Sequence, residues 1–242
     1  MKKIKVGLLP LYIKLYDDSL QWMRPRVNEF HDTISSMLFD RGLEVVDVPV
    51  CRIKSEFEEA IAKFEREKID VMITLNLAYS PSLEASDAIA KSSFPVVVLD
   101  TTPDYVFDQE TDSLYLDYNH GIHGVQDLCN LMRRNGKKYV ICAGHYKNSD
   151  VLDRVVNACK AAVVARSMKT AKVGMVGDPF KGMGDFTLGE KVFKETIGFD
   201  VVKYSEADAV PVSEEAIKKE YEADCKACVV NGVDYDLYRD VA

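Results

Sequence analysis

The sequence predicts an α/β protein built on parallel sheets with helices on both faces. Short runs of β-branched and other apolar residues alternate along the chain with longer segments whose apolar residues recur at helical spacing. The composition is 47% hydrophobic and 29% charged over 242 residues, which suits a globular protein with one large or two small cores. Together these features indicate repeated β-α units, which are typical of doubly wound parallel sheets.

The first half of the chain contains four strand candidates separated by three helix candidates. The predicted strands are residues 4–9, 43–48, 71–75 and 96–99, and the predicted helices are residues 20–40, 55–68 and 81–91. Gly42 follows the first helix, where a left-handed C-terminal cap is favoured. Ser80 and Pro81 are typical of an N-cap followed by the first helical position.

The alternation stops after residue 99 for roughly twenty residues rich in Asp, Thr and Tyr, and then resumes. The later strands are residues 139–143, 172–176 and 200–204, and the later helices are residues 122–134, which Gly136 caps, 149–167, 188–197 and 213–225. We therefore place a boundary near residue 118 and predict two Rossmann/flavodoxin-like domains, residues 1–118 and 119–242. The second is expected to be incomplete because no closing element follows its last helix.

Charge and hydropathy exclude several functional classes. The formal net charge is −8 and no basic block stands out, which argues against nucleic acid or an anionic membrane as partner. No apolar run approaches the length of a membrane span, and the amino terminus is interpreted as a strand, not a signal peptide. Six scattered cysteines without an export signal predict reduced thiols and a cytoplasmic protein.

Candidate functional residues follow the predicted strands, because ligands of open parallel sheets bind beyond the carboxyl ends of the strands. The loops there combine polar and aromatic residues, which suits sugar hydroxyls better than nucleotide phosphates. His120, His123 and His145 lie in or beside these loops, whereas His31 lies inside the first long helix. Each loop histidine could bind hydroxyls, transfer protons or ligate a metal, or it could simply brace its loop.

A glycine-rich loop follows the predicted strand at residues 172–176. Its Gly182-Met183-Gly184 segment matches neither phosphate-binding fingerprint, so a nucleotide site is not favoured. Asp178 and Asp185 flank this segment and could act as a general base or metal ligands, or as helix caps and loop braces.

Three motifs occur in a distinctive order: LDYNHGIHG at residues 116–124, AGHY at residues 143–146 and VGD at residues 176–178. In this order and spacing the chain resembles the L-arabinose isomerase family. The segment ARSMK at residues 165–169, together with the later Gly182-Met183-Gly184, is similar to L-fucose isomerases. The resemblance covers most of residues 4–204.

The resemblance implies two amino-terminal α/β domains of a metal-dependent aldose–ketose isomerase. Members of that superfamily usually use Mn²⁺, and in the arabinose branch the metal ligands come later in the chain than any residue that aligns here. The chain is therefore expected to contribute sugar-binding and oligomer contacts and to bind no metal by itself. The implied partners are a small-molecule sugar and further copies of the chain.

The same resemblance assigns roles to individual residues. His123 matches the family's substrate-contacting histidine, and His120 occupies the position of its glutamine. Phe180 or Met183 matches the apolar contact to the sugar. Leu11 and Tyr12 match residues that reach a neighbouring subunit's site.

Two other functions are compatible with the residues. A free-standing sugar-binding module without catalysis would use the same polar and aromatic loops between two α/β units. A small flavodoxin-like domain that binds a nucleotide or flavin would share the fold, although both phosphate fingerprints are missing from the sequence.

Overall fold

A computed structural model describes residues 3–177, 180, 182, 184, 188–205, 210–227 and 232–241. The chain forms two compact units, Met1–Ser167 and Met168–Ala242. The predicted α/β class with a parallel sheet is confirmed in the first unit.

The first unit contains five strands and seven helices among its described residues, and each strand is followed by one or two helices. In chain order they are β1 (Lys5–Leu11), α1 (Lys14–Ser19), α2 (Met23–Asp40), β2 (Glu44–Asp47), α3 (Lys54–Glu67), β3 (Val71–Asn76), α4 (Ser82–Lys91), β4 (Val96–Asp100), α5 (Leu114–Tyr118), α6 (Gly121–Arg134), β5 (Tyr139–Ala143) and α7 (Val151–Met168). No described helix combines the length and apolar character that crossing a membrane requires.

All five strands of this unit are parallel, in the order β2-β1-β3-β4-β5. Strand β2 lies on one side of β1, and β3, β4 and β5 follow one another on its other side. The direction in which strands are added therefore reverses between β1 and β3. These two strands are paired in register from Val6 opposite Val71 to Leu11 opposite Asn76. In open parallel sheets a ligand crevice forms at such a reversal.

Two apolar layers cover the sheet. Helices α2 and α7 pack on one face, and helices α3, α4 and α6 pack on the other. All six residues of β3 are buried, which explains why its sequence, VMITLN, is almost continuously apolar instead of alternating.

Several local predictions can be compared with the structure. Gly42 and Gly136 have φ of +89° and +71°, which confirms their predicted left-handed capping role. Ser80 is not the N-cap of α4, because that helix starts at Ser82 with Pro81 as its cap residue. The Ser82 N–H instead donates to Asp127 on α6 at 3.2 Å.

The first compact unit extends to Ser167, about fifty residues beyond the boundary that we placed near residue 118. The difference arises because β5 pairs with β4, with Asp100 opposite Ala143, and so joins the first sheet. Helix α6 likewise packs against α4. Strand pairing depends on long-range contacts, which the break in the local pattern does not reveal.

The second unit contains a two-stranded parallel sheet among its described residues. Its elements are β6 (Lys172–Val176), α8 (Glu190–Thr196), β7 (Asp200–Tyr204), α9 (Glu214–Lys226) and α10 (Tyr235–Val241). The prediction of a second doubly wound sheet is not confirmed. None of the described residues of this unit whose side chains can be placed is buried, so the unit offers little apolar packing to stabilise it.

We expect the two units to differ strongly in resistance to proteolysis. The first unit has two apolar layers around its sheet, whereas the described side chains of the second remain at least partly exposed. Limited trypsin digestion of the native chain, followed by mass spectrometry, should cleave residues 168–242 first and leave a fragment containing residues 3–167. Equal protection of both units would contradict this expectation.

Candidate functional site

The carboxyl ends of β1 and β3 lie side by side where the strand order reverses. Tyr12 directly follows β1, and its N–H donates to the Cys51 carbonyl at 3.0 Å. Asn76 is the last residue of β3. The amino-terminal end of α6 packs against it, which brings His120 and His123 to the same edge of the sheet.

Five buried polar atoms at this edge have no hydrogen-bond partner among the described residues. They are the Tyr12 hydroxyl, both amide atoms of the Asn76 side chain, the Ser80 hydroxyl and Nδ1 of His120. We call these four residues the polar cluster. Tyr12 lies in the layer of α2 and α7, whereas Asn76 lies under α6 on the other face of the sheet. An unpaired buried polar atom costs about 1–3 kcal/mol, and all four residues lie at or just after the carboxyl ends of β1 and β3 or at the start of α6, so we take this edge as the candidate site.

Two glycines allow α6 to approach this closely. A Cβ at Gly121 would lie 2.7 Å from the Asn76 carbonyl oxygen. A Cβ at Gly124 would collide with Nδ2 of Asn76 and lie 3.1 Å from the Ser80 backbone nitrogen. The Gly-x-x-Gly spacing therefore places one glycine over the Asn76 backbone and the next over its side chain.

Aromatic rings extend outward from the polar cluster. The ring centroids of Tyr12 and Tyr16 are 6.0 Å apart, those of Tyr79 and His120 are 5.8 Å apart, and those of His120 and His123 are 4.3 Å apart. Tyr79 and His120 are half-buried, and His123 is exposed. The edge thus combines ring faces with hydrogen-bonding groups, which suits a ligand that has both polar and apolar surfaces.

Burial holds the tyrosines of this edge in their neutral form. It raises the pKa of Tyr12 to about 12, with a smaller contribution from the charge of Asp17. It also raises the pKa of Tyr16 to about 12, assisted by Asp117, whose carboxylate accepts a hydrogen bond from the Tyr16 hydroxyl at 3.2 Å. At neutral pH both groups are therefore uncharged phenols. The Tyr16 hydroxyl donates to Asp117, whereas the Tyr12 hydroxyl has no partner among the described residues.

An ion-pair network secures the segment that carries Tyr12 and Tyr16. Arg52 donates to Asp17 at 2.7 Å and to both oxygens of Glu56, at 2.5 and 3.2 Å. Arg24 also donates to both oxygens of Asp17 at 3.1 Å, and its guanidinium lies 5.5 Å from the centroid of the Tyr12 ring. The network joins α1, α2 and the start of α3 beside the polar cluster.

The Arg52→Met variant should be destabilised by about 1–2 kcal/mol at neutral pH, because these ion pairs are only partly buried. Partial burial alone would raise the pKa of Glu56, but hydrogen bonds from Arg52 outweigh it and lower that pKa. The resulting stabilisation is present above the ordinary glutamate pKa of about 4.3 and is lost as the pH falls through the lower folded-state value.

Urea unfolding at pH 7, 5 and 3 tests both statements. The wild-type chain should lose more stability between pH 5 and pH 3 than Arg52→Met does. Lys54→Met, an exposed substitution two residues away, should follow the wild-type pH dependence. Parallel pH curves for wild type and Arg52→Met would contradict the assigned linkage.

The residues predicted from sequence have different positions in the structure. Tyr12, His120 and His123 lie at the carboxyl edge, but the Leu11 side chain is buried in the apolar layer formed with α3, α4 and α6. Phe180 belongs to the second unit, where it is 75% exposed. Met183, Asp178 and Asp185 lie outside the described residues.

His145 belongs to a different group of side chains. Its Nε2 lies 3.4 Å from the Pro103 carbonyl oxygen, and its ring lies 5.2 Å from that of Tyr105 and 4.7 Å from that of Tyr146. These contacts fit the alternative in which the imidazole braces its loop.

Sequence reasoning did not single out Asn76, Ser80, Tyr16 or Tyr79 as site residues. Two features of the sequence could have indicated them. Asn76 is a polar residue at the end of an otherwise apolar strand. Gly121 and Gly124 are spaced so that a helix can lie in close contact with a neighbouring strand.

Within the part of the chain that the structure describes, no three His, Cys, Asp or Glu side chains are grouped so that they could hold a metal ion. His120 and His123 form a close pair of imidazoles at the edge. The described residues therefore do not fit a Mn²⁺ site.

Large apolar side chains are exposed around the same edge of the first unit. They lie on segments that follow β1, β3 and β4, and we call them the apolar rim: Leu15, Leu83, Tyr105, Val106, Phe107, Leu114, Leu116 and Ile122. Leu83, on the first turn of α4, is 77% exposed. Clustered exposed apolar residues are typical of surfaces that contact other molecules.

Comparison of the sequence with protein-family models and with curated proteins found no match for this chain.

Proposed function

We propose that the chain is the amino-terminal portion of a sugar isomerase-type protein and that its first unit binds a sugar at the polar cluster. The observation that carries this proposal is the set of buried, unpartnered polar atoms beside aromatic rings at the strand-order reversal. The motif resemblance at residues 116–124 supports the same assignment, since it includes His120 and His123.

The chemistry of the cluster suits a neutral polyhydroxylated ligand. The Asn76 amide offers one acceptor and two donors, which complement adjacent sugar hydroxyls. Tyr12 and Ser80 add hydroxyls that can donate or accept. Tyr79 and His120 present ring faces, against which the apolar face of a sugar ring can pack.

Isomerase chemistry in the related family relies on a divalent ion, which would act as a Lewis acid on the sugar oxygens. Because the described residues do not fit such a site, we assign no catalytic step to them. The proposed role is sugar binding, together with subunit contacts made by the apolar rim. The metal-binding half of the enzyme would be supplied from outside the described residues.

Isothermal titration calorimetry of the purified chain tests the proposal. Aldoses, ketoses and alditols are titrated with and without Mn²⁺, and the same samples are assayed for isomerisation. We expect at least one sugar to bind with a Kd of about 1 mM or tighter, and without a requirement for Mn²⁺. The His120→Phe variant keeps an aromatic ring but removes the buried Nδ1, so its affinity should fall about tenfold.

The matched control is His145→Phe, since His145 contacts Pro103 and Tyr105 and not the polar cluster. Its sugar affinity should equal that of the wild type. Failure of every sugar to bind would overturn the proposed function. Turnover with Mn²⁺ would show that the chain holds a complete catalytic centre, contrary to the division of roles proposed above.

A second candidate is a free-standing sugar-binding module. It is favoured by the fact that every member of the polar cluster comes from the first unit. Analytical ultracentrifugation separates the two candidates, because an isomerase subunit should self-associate through the apolar rim. A module that binds sugar as a monomer at all concentrations would favour the second candidate.

The strand order β2-β1-β3-β4-β5 also occurs in flavin-binding domains, which favours the flavin alternative. A fold does not by itself imply a function, however. Residues 10–14, at the end of β1 and directly after it, contain no glycine, serine or threonine to receive a phosphate. Flavin absorbance in the purified protein would support this alternative.

A further inference from the structure

A cavity of about 450 Å³, separate from the polar cluster and called here the second cavity, opens between α2 and the loops that follow β4 and β5. Successive turns of α2 contribute four residues at spacings of three and four, which places them on one face of the helix: Arg26, Glu29, Phe30 and Thr33. The loops contribute Asp104 and Lys147 from the opposite side. None of these residues belongs to the polar cluster.

The floor of this cavity is aromatic and fixed in place. Phe30, Tyr118 and Tyr146 are buried, and the rings of Phe30 and Tyr146 meet edge to face with centroids 5.3 Å apart. The Tyr118 hydroxyl donates to the Arg26 carbonyl at 3.3 Å, which ties α5 to α2. The three rings are therefore held in fixed positions at the bottom of the cavity.

The walls carry two cationic and two anionic side chains that form no ion pairs with one another. Arg26 and Lys147 are cationic and Glu29 and Asp104 are anionic, yet none of the four forms an ion pair within 4.0 Å among the described residues. The network around Arg52 is different, because there the opposite charges bind each other. The charges around the second cavity remain available to a ligand.

Neighbouring contacts hold two of these charges in position. The Arg26 guanidinium donates to the Tyr115 hydroxyl at 2.7 Å and lies 5.4 Å from the centroid of the Trp22 ring. One oxygen of Asp104 accepts a hydrogen bond from the Asn119 amide at 2.8 Å. Both charged groups are therefore braced by uncharged partners, and they interact with each other only at a distance beyond that of an ion pair.

We propose that this cavity binds a small zwitterion of the α-amino-acid type, with its apolar side chain on the aromatic floor. The carboxylate pairs with Arg26 and Lys147, and the ammonium group pairs with Glu29 and Asp104. A singly charged ligand would meet two like charges in the same cavity, and a neutral one would use none of the four exposed wall charges. A zwitterion matches both signs at once.

Calorimetry with L-phenylalanine, L-leucine, and the amide and N-acetyl derivatives of L-phenylalanine tests this proposal. We expect the free amino acids to bind, and each derivative, which lacks one of the two charges, to bind about tenfold more weakly. Lys147→Gln should weaken binding of the amino acid but not that of the amide, which has no carboxylate to pair with Lys147 and is repelled by its charge. Glu29→Gln should weaken binding of the amino acid but not that of the N-acetyl derivative, which has no ammonium group to pair with Glu29 and is repelled by its charge.

Lys160→Gln and Glu58→Gln are the matched controls, since they remove exposed charges that do not line this cavity. Both should bind like the wild type. The proposal is overturned if no amino acid binds, if Lys147→Gln and Glu29→Gln bind like the controls, or if a neutral sugar binds here instead. None of these results depends on sugar binding at the polar cluster, because the two sites share no residue.

Discussion

The Gly121→Ala variant is expected to lose about 1–3 kcal/mol of stability, which is the usual cost of overpacking a buried contact. The added methyl group would lie 2.7 Å from the Asn76 carbonyl oxygen. That atom belongs to the backbone of a fully buried strand, so it cannot rotate away, and either α6 or β3 must shift. Alanine is intrinsically better than glycine within a helix by about 1 kcal/mol, so a net loss would identify close packing as the dominant effect.

Urea unfolding of Gly121→Ala, Gly124→Ala and Gln126→Ala measures this effect. Gly124→Ala meets the Asn76 side chain as well as the Ser80 nitrogen, so part of the strain can be relieved by side-chain rotation and its loss should be smaller. Gln126 is exposed on the same helix, and its substitution should change stability by less than about 0.5 kcal/mol. A stabilised Gly121→Ala would show that the helix and strand are not held in close contact.

The strands of the first sheet were predictable because their positions follow from local composition. A strand buried on both faces must be almost entirely apolar, as VMITLN at residues 71–76 illustrates. The same reasoning predicted that side chains after the strands would gather at one edge, and it selected His120, His123 and His145, whereas Tyr12 came from the family resemblance. The structure brings His120 and His123 together. His145 lies instead against Pro103 and Tyr105.

The extent of the first sheet was not predictable in the same way. Strand β5 belongs beside β4, but the two are separated by some forty residues, including the irregular segment after residue 100. Strand β5 pairs with β4 because β4 is the strand whose edge is still unpaired. Neither the composition nor the periodicity of residues 139–143 indicates which strand that is. Burial of Leu11 similarly depends on the two-residue extension of β1 beyond its predicted end.

The part played by Asn76 also required the structure. Its sequence position marks it as polar at a strand end, but polar strand-end residues commonly find partners in the following loop. Here the close approach of Gly121 and Gly124 encloses the amide without giving it a hydrogen-bond partner among the described residues. Burial and the lack of a partner are both tertiary properties, so the sequence could not reveal them.

Asn76→Leu should make the chain more stable and, at the same time, weaken its binding of sugar. The substitution preserves the approximate size and shape of the side chain while it removes two unpaired polar atoms from a buried position. Because each such atom costs about 1–3 kcal/mol, the free energy of unfolding should rise by about 1–2 kcal/mol after partial loss to imperfect packing. The melting temperature should rise by about 2–4 °C per kcal/mol.

Thr74→Val separates the two effects. The Thr74 hydroxyl is also buried without a partner among the described residues, and it lies two residues earlier on the same strand and therefore on the same face. This variant should gain stability as Asn76→Leu does but keep the wild-type sugar affinity, whereas Asn76→Leu should lose at least about tenfold. Opposite responses of stability and affinity at one residue are expected where a binding site has kept a polar group at the expense of folding. If Asn76→Leu instead destabilised the chain and left sugar affinity intact, Asn76 would be a structural residue and the candidate site would lose its central hydrogen-bonding group.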